Sequence, residues 1–297
     1  MNKDQAMQSF LKICNSEASP KAPCQTYLLT ASRFLEYCRT ADVATLDESP
    51  FRDYLLELHA SGSLSPVTIN HHNSIIRFLY EVTLEKNINY KRIPRFKKHK
   101  GRPTVFSVGE LLQFFSLINN PKHFAFFLIL YGSGLRISEL ASLKTDDIDS
   151  KRMLIHIREG KGNKERYTPL TEAGLMALRH YWKTYRPVNP GGYLFPHRDR
   201  TRCAGRYTFD KMFKNILFKA QISMGATPHT LRHCFATHTL QSGTDLMTLK
   251  EMLGHASISS TSVYIHLSLV DRSNKRSVED VAAEIKAMYD LRNPSHG

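Results

Sequence analysis

Apolar residues recur at three- and four-residue spacing over most of the chain, which predicts a mainly helical protein. In residues 24–40, CQTYLLTASRFLEYCRT, the side chains of Tyr27, Leu28, Phe34, Leu35 and Cys38 share one helical face. Residues 49–60 (SPFRDYLLELHA) predict a second helix that stops near Gly62. A third opens at Ser65-Pro66, an N-cap followed by proline at the first helical position, and runs over residues 65–86. Further on, Ser107 and Glu110 form a capping box ahead of LLQFFSLI, and residues 123–131 make a very apolar helix ending in YGSG. Around 145–170 the period drops to two. MLIHIRE and RYTPL then read as short strands flanking the turn GKGNK, a hairpin. Helical spacing returns in EAGLMALRHYWKTY, FDKMFKNILFKA, residues 227–238 and SVEDVAAEIKAMYDL. The expected fold is mainly α with a small β-hairpin or three-stranded sheet. A helical domain over 1–90 and a linker over 91–104 precede a larger domain over 105–297.

Charge sharpens that division. The chain of 297 residues carries a formal charge of +14. Residues 1–90 hold 8 Lys/Arg against 10 Asp/Glu, whereas KRIPRFKKHKGRP at 91–103 holds seven bases and no acid. Those bases, Lys91, Arg92, Arg95, Lys97, Lys98, Lys100 and Arg102, sit between prolines that disfavour helix, as a linker lying along a polyanion would. Double-stranded DNA is the first candidate for that partner. Five cysteines without a CxxC pair suggest reduced thiols in the cytoplasm. The start MNKDQAMQSF is too polar for a secretory signal, and no apolar run approaches the ~20 residues that span a bilayer. A cytoplasmic protein without a membrane partner is expected.

Candidate chemistry concentrates after the linker. In TPHTLRHCFATH, residues 227–238, Thr227 caps a helix whose first residue is Pro228. His229 and Arg232 share a face near its positive end, an arrangement suited to an anion. Zinc on His229 and His233 is disfavoured, since no HExxH glutamate is present and Arg232 would repel a cation. His233 and His238 fall off the His229–Arg232 face and are expected to be structural. SGLRISEL places Arg136 and Glu139 three apart at a helix start. GKGNKER puts Lys161 at the hairpin tip, with Lys164 and Arg166 following, and LGHASISSTSVY holds His255 and Tyr264.

In this order and spacing, Arg136, Lys161, His229, Arg232, His255 and Tyr264 resemble the tyrosine recombinase (phage integrase) family, its Xer-like members in particular. Met247 stands where an arginine is common in those relatives. The resemblance implies an N-terminal helical SAM-like core-binding domain and a mixed α/β catalytic domain. It further implies DNA cleavage and rejoining through a covalent 3′-phosphotyrosyl intermediate and a Holliday junction. DNA contacts are expected from Arg92, Arg95, Lys97, Lys98, Lys100, Arg102, Lys164 and Arg166. A homotetramer on two recombination sites is also implied, docked through the C-terminal segment 277–291, with a second recombinase or accessory protein as a further partner.

The residue types agree with that chemistry. A phenol with an ordinary pKa of about 10 needs help to attack a phosphodiester, and two permanently charged guanidiniums suit the developing charge. Arg136 and Arg232 are the expected phosphate clamp, Tyr264 the nucleophile, His229 its base and Lys161 the acid for the leaving 5′-oxygen. His255 would bond the phosphate, and Glu139 would orient Arg136 or His229. No metal or other cofactor is expected, because the arginines take the place of Mg²⁺ and there is no Walker-type loop. The expected role is integration, excision or transposition of a mobile element. Xer-type chromosome or plasmid dimer resolution and topoisomerase IB-like relaxation are the alternatives.

Overall fold

The computed structural model describes residues 2–15, 24–39, 42–97, 103–158, 165–186, 190–197, 203–222, 225–270 and 276–294. Lys98, Lys100, Arg102, Lys161 and Lys164 lie outside them. Backbone contacts divide the chain into two units, Met1–Gly101 and Arg102–Gly297.

The first unit contains α1 (Lys3–Cys14), α2 (Cys24–Cys38), α3 (Glu48–Ala60) and α4 (Pro66–Phe78). Helix α1 was not anticipated, although the Asn2 side chain accepts from the Gln5 backbone and the Gln5 side chain accepts from that of Asn2, a capping box. Ser65 caps α4 with Pro66 in its first turn, as expected. The predicted single helix 65–86 instead passes into a π-helical turn at Leu79–Thr83, which buries Leu79 and Tyr80. Phe10, Phe34, Phe51 and Tyr80 fill the core, and Phe51 stacks on Tyr80 at 5.7 Å.

The basic run is not a linker throughout. Ile93 is buried, Asn73 donates to the Pro94 carbonyl, Asn70 both donates to and accepts from the Phe96 backbone, and the Phe96 ring lies 4.2 Å from that of His59. Residues 90–97 therefore belong to the first unit. Apolar anchors and hydrogen bonds from asparagine side chains bind them to α3 and α4, while Arg95 and Lys97 are exposed and Arg92, also exposed, pairs with Glu48 at 3.1 Å.

The second unit holds α5 (Val108–Ser116), α6 (Pro121–Gly132), α7 (Ile137–Ser142) and strands β1 (Ile148–Asp149), β2 (Leu154–Ile157) and β3 (Arg166–Pro169). Helices α8 (Glu172–Tyr185), α9 (Arg206–Ala220), α10 (Pro228–Gln241), α11 (Leu246–Leu253), α12 (Val263–Val270) and α13 (Val278–Arg292) follow. The sheet is antiparallel in the order β1-β2-β3, with Ile155 opposite Thr168. The apolar α6, buried from Phe124 to Gly132, is the central post, with α8 and α10 packed against it. Helices that read as separate stripes in the sequence close around it because each has one apolar face to bury.

The C-terminal helix packs on its own unit, one of the two placements that its amphipathic stripe allowed. Val281, Ala282, Ile285 and Tyr289 are buried within their own unit. Tyr289 stacks on Phe124 at 3.8 Å and donates to the Asn119 carbonyl, while Glu279 accepts from the first backbone N–H of α8. The amphipathic stripe is thus satisfied in cis.

Candidate active site

Arg136 stands at the N-cap of α7 and has no side-chain oxygen to offer the helix end. Glu139, three residues on, compensates: its Oε2 accepts the Arg136 backbone N–H at 2.8 Å and its Oε1 accepts Nη1 at 2.6 Å. One carboxylate therefore caps the helix and fixes the arginine. Arg166, the first residue of β3, approaches the same carboxylate as a fork, Nη1 to Oε1 at 3.0 Å and Nη2 to Oε2 at 2.8 Å. Arg232, in the first turns of α10, is only 4 % exposed and lies 3.9 Å from Glu139 Oε2.

The other ends of these guanidiniums converge on one helix terminus. Arg166 Nε donates to the Met252 carbonyl, Arg232 Nη2 to Leu253 and Arg136 Nη2 to Gly254. These are consecutive carbonyls at the C-terminal end of α11, where helical geometry leaves acceptors without intrahelical partners and the dipole is negative. Two glycines make the approach possible. Gly254 has φ +62, and a Cβ there would lie 2.9 Å from Arg166 Cδ. Gly134 has φ +60, a Cβ on it would meet the Phe235 ring at 2.2 Å, and its carbonyl accepts Arg232 Nη1.

The electrostatics follow from burial. Burial alone would raise the Glu139 carboxyl, but hydrogen bonds and charge from Arg166 and Arg136 hold it down to about 2. Burial, then the charge of Arg136, lowers Arg232 to about 10, so it remains protonated at neutral pH. Three guanidiniums against one carboxylate leave two positive charges in a largely desolvated pocket. A pocket of that kind is built for an anion.

Tyr264, on α12, is 2 % exposed, and its hydroxyl lies 2.8 Å from His233 Nδ1. Burial raises the phenol, while Arg232 and Arg136 pull it down, so both guanidiniums act on it. His233 is lowered to about 4 by burial and by the charges of His229 and Arg232, and His255 is lowered to about 4 by burial and the three arginines. Both rings are therefore neutral at pH 7. His255 bonds the Thr261 hydroxyl at 2.9 Å and lies parallel to the Tyr264 ring, 6.4 Å between centroids.

Arg136, Arg232, Glu139, His255 and Tyr264 come together. His233, expected to be structural, is the histidine on the Tyr264 hydroxyl. His229 instead lines a cavity of 440 Å³ with Ile137, Tyr207, Asp210, Lys211 and Lys214. Arg166, expected on the DNA, is 10 % exposed with its fork taken by Glu139. His238 is buried against the Tyr131 hydroxyl at 2.9 Å, the structural place that its spacing predicted.

Comparison with known proteins identifies the family. Residues 106–269 match the phage integrase family, and residues 7–90 match the phage integrase N-terminal SAM-like domain. Among curated proteins, y4eF of Sinorhizobium fredii, named as an integrase/recombinase, is 34 % identical over 75 % of this chain and 88 % of its own. Tyrosine recombinase XerC of Lacticaseibacillus casei is 30 % identical over 91 % of this chain and 95 % of its own. The crystal structure of XerH site-specific recombinase bound to palindromic difH substrate superposes with a TM-score of 0.68 at 23 % identity, covering 82 % of this chain and 76 % of that one. The fold is accordingly that of these recombinases. The chain belongs to the phage integrase family, the tyrosine recombinases, and is an enzyme of site-specific DNA recombination.

Proposed function

We propose that Tyr264 attacks a DNA phosphodiester held by Arg136 and Arg232, forming a 3′-phosphotyrosyl ester and releasing a 5′-hydroxyl. The observation that carries this reading is the doubly positive, buried arginine pocket with a tyrosine hydroxyl within its electrostatic influence. Charge that accumulates on the non-bridging oxygens meets fixed guanidiniums in a low-dielectric site, where they act most strongly. As the phenolic oxygen bonds to phosphorus, its proton passes to neutral His233 and the bond to the 5′-oxygen breaks. Lys161 supplies the proton which that oxygen needs. His255, held by Thr261, donates to the phosphate, and His229 in the first turn of α10 is suited to a phosphate contact. Rejoining is the same path reversed, so the ester conserves the energy of the broken bond.

The exposure of Arg92, Arg95 and Lys97 supports phosphate contacts along the duplex, with Arg92 exchanging Glu48 for phosphate, and Lys98, Lys100, Arg102 and Lys164 extend that set. Two sites with two protomers each make the working assembly a homotetramer on DNA, in the cytoplasm. No helix among the described residues is long and apolar enough to cross a membrane. Integration and excision of a mobile element is the favoured role, supported by the integrase/recombinase name of the 34 %-identical relative. Xer-type dimer resolution is the second reading, favoured by the nearly end-to-end match with XerC.

The test uses duplexes drawn from the DNA flanking the gene. A nicked suicide duplex is expected to trap a covalent adduct, and a plasmid with two copies of the trapped site is expected to yield recombinant joints. Relaxation of supercoils without joints would replace recombination by the topoisomerase reading.

A further inference from the structure

The Glu139 carboxylate is saturated. Oε1 accepts Arg136 Nη1 and Arg166 Nη1, and Oε2 accepts the Arg136 backbone N–H and Arg166 Nη2. A carboxylate has about four lone-pair positions, so nothing is left for Arg232, which stops 3.9 Å short of Oε2. Arg232 is instead held by the neutral carbonyls of Gly134 and Leu253, which position it without cancelling its charge.

We infer that Arg166 is a positioning residue: by pairing its charge with Glu139, it keeps that carboxylate from neutralising the arginine pair that grips the scissile phosphate. The inference rests on the phosphate-clamp reading above. Arg166 is suited to the task because its third donor, Nε, is tied to Met252 and its stem passes over Gly254. With Arg166 absent, Oε2 is free to close on Arg232. The pocket then loses one positive charge and the clamp's geometry at once. Glu139 orients Arg136 while its negative charge opposes any anion, and Arg166 balances that charge.

A purely structural strut and a charge-balancing residue differ in how they couple to Glu139. If Arg166 only braces the fold, removing Glu139 as well adds damage. If it balances charge, the second substitution relieves the first, because Arg166→Met with Glu139→Gln restores two net positive charges. The experiment measures inorganic phosphate binding to the full chain by calorimetry at pH 8, with Arg232→Met as background, and adduct formation on the trapped duplex alongside. Arg166→Met is expected to bind phosphate about tenfold more weakly than the wild-type chain, within the coupling found in ion-pair networks. The double variant is expected to recover to within about threefold of it.

A double variant as weak as, or weaker than, Arg166→Met overturns the inference, as does an Arg166→Met chain that binds like wild type. Should Arg166→Met lose its thermal unfolding transition, Arg166→Lys carries the test, since it keeps the charge but gives up the fork. Phosphate binding within about threefold of wild type supports charge balance, and binding at the Arg232→Met background overturns it. A wild-type chain that itself binds no better than that background, and forms no adduct, removes the clamp reading instead.

Discussion

His233 has a ring nitrogen within hydrogen-bond reach of the Tyr264 hydroxyl, and reach comes before pKa in assigning a base. Substituting His233→Ala is expected to slow adduct formation about 100-fold, and His229→Ala by less, measured as single-turnover trapping. The ring is neutral down to about pH 4. Trapping should therefore keep its proton acceptor at pH 5 and lose it as the pH falls through 4. Equal effects of the two substitutions would return His229 to the role. Spacing on α10 could not show this. His229 and His233 are four apart and share a helical face, so periodicity cannot choose between them; Tyr264 reaches His233 from α12, and the meeting of two helices is a tertiary fact. Arg166 was misread for a related reason. A basic residue beside a hairpin tip looks solvent-facing, and its burial depends on the bare backbone of Gly254 on a distant segment.

Helix α11 works through its end. Three consecutive carbonyls receive three guanidiniums, so the helix terminus is both the arginines' anchor and the beneficiary of their charge. Gly254→Ala combines a left-handed backbone with a Cβ against the Arg166 stem, and is expected to cost about 3 kcal/mol in denaturant unfolding. It should also weaken phosphate binding, since Arg136 and Arg166 share that contact. Unchanged stability would mean that the arginines do not depend on this terminus. Most elements were legible from period and caps: α4, α5, α6 and α8 and the β2–β3 hairpin lie where the pattern placed them. The π turn after α4 was not, because it serves the burial of Tyr80 and not a local signal. Nor was α1, whose Asn2–Gln5 cap was present but unread.

At the scale of the whole molecule, α13 is held by its own unit. Ile285→Asp would bury an unpaired carboxylate there and is expected to lower stability by about 3 kcal/mol in the DNA-free chain, read by denaturant melting. An unchanged midpoint would mean that the helix docks on another copy. Stability should also depend on acid. His123, His233 and His255 are held near 4, below the ordinary 6.5, so their contribution is complete above pH 6.5 and declines as the pH falls toward 4. Glu139 adds a loss between 4.5 and about 2. The central claim of the proposed mechanism is a single covalent event on DNA. Its most direct test is peptide mapping of the adduct trapped on a nicked duplex, with Tyr264→Phe in parallel. The expected result is a 3′-phosphoryl group on Tyr264, and a Tyr264→Phe chain that still binds the duplex but forms no adduct. A label on any other residue, or an adduct that survives Tyr264→Phe, would contradict it.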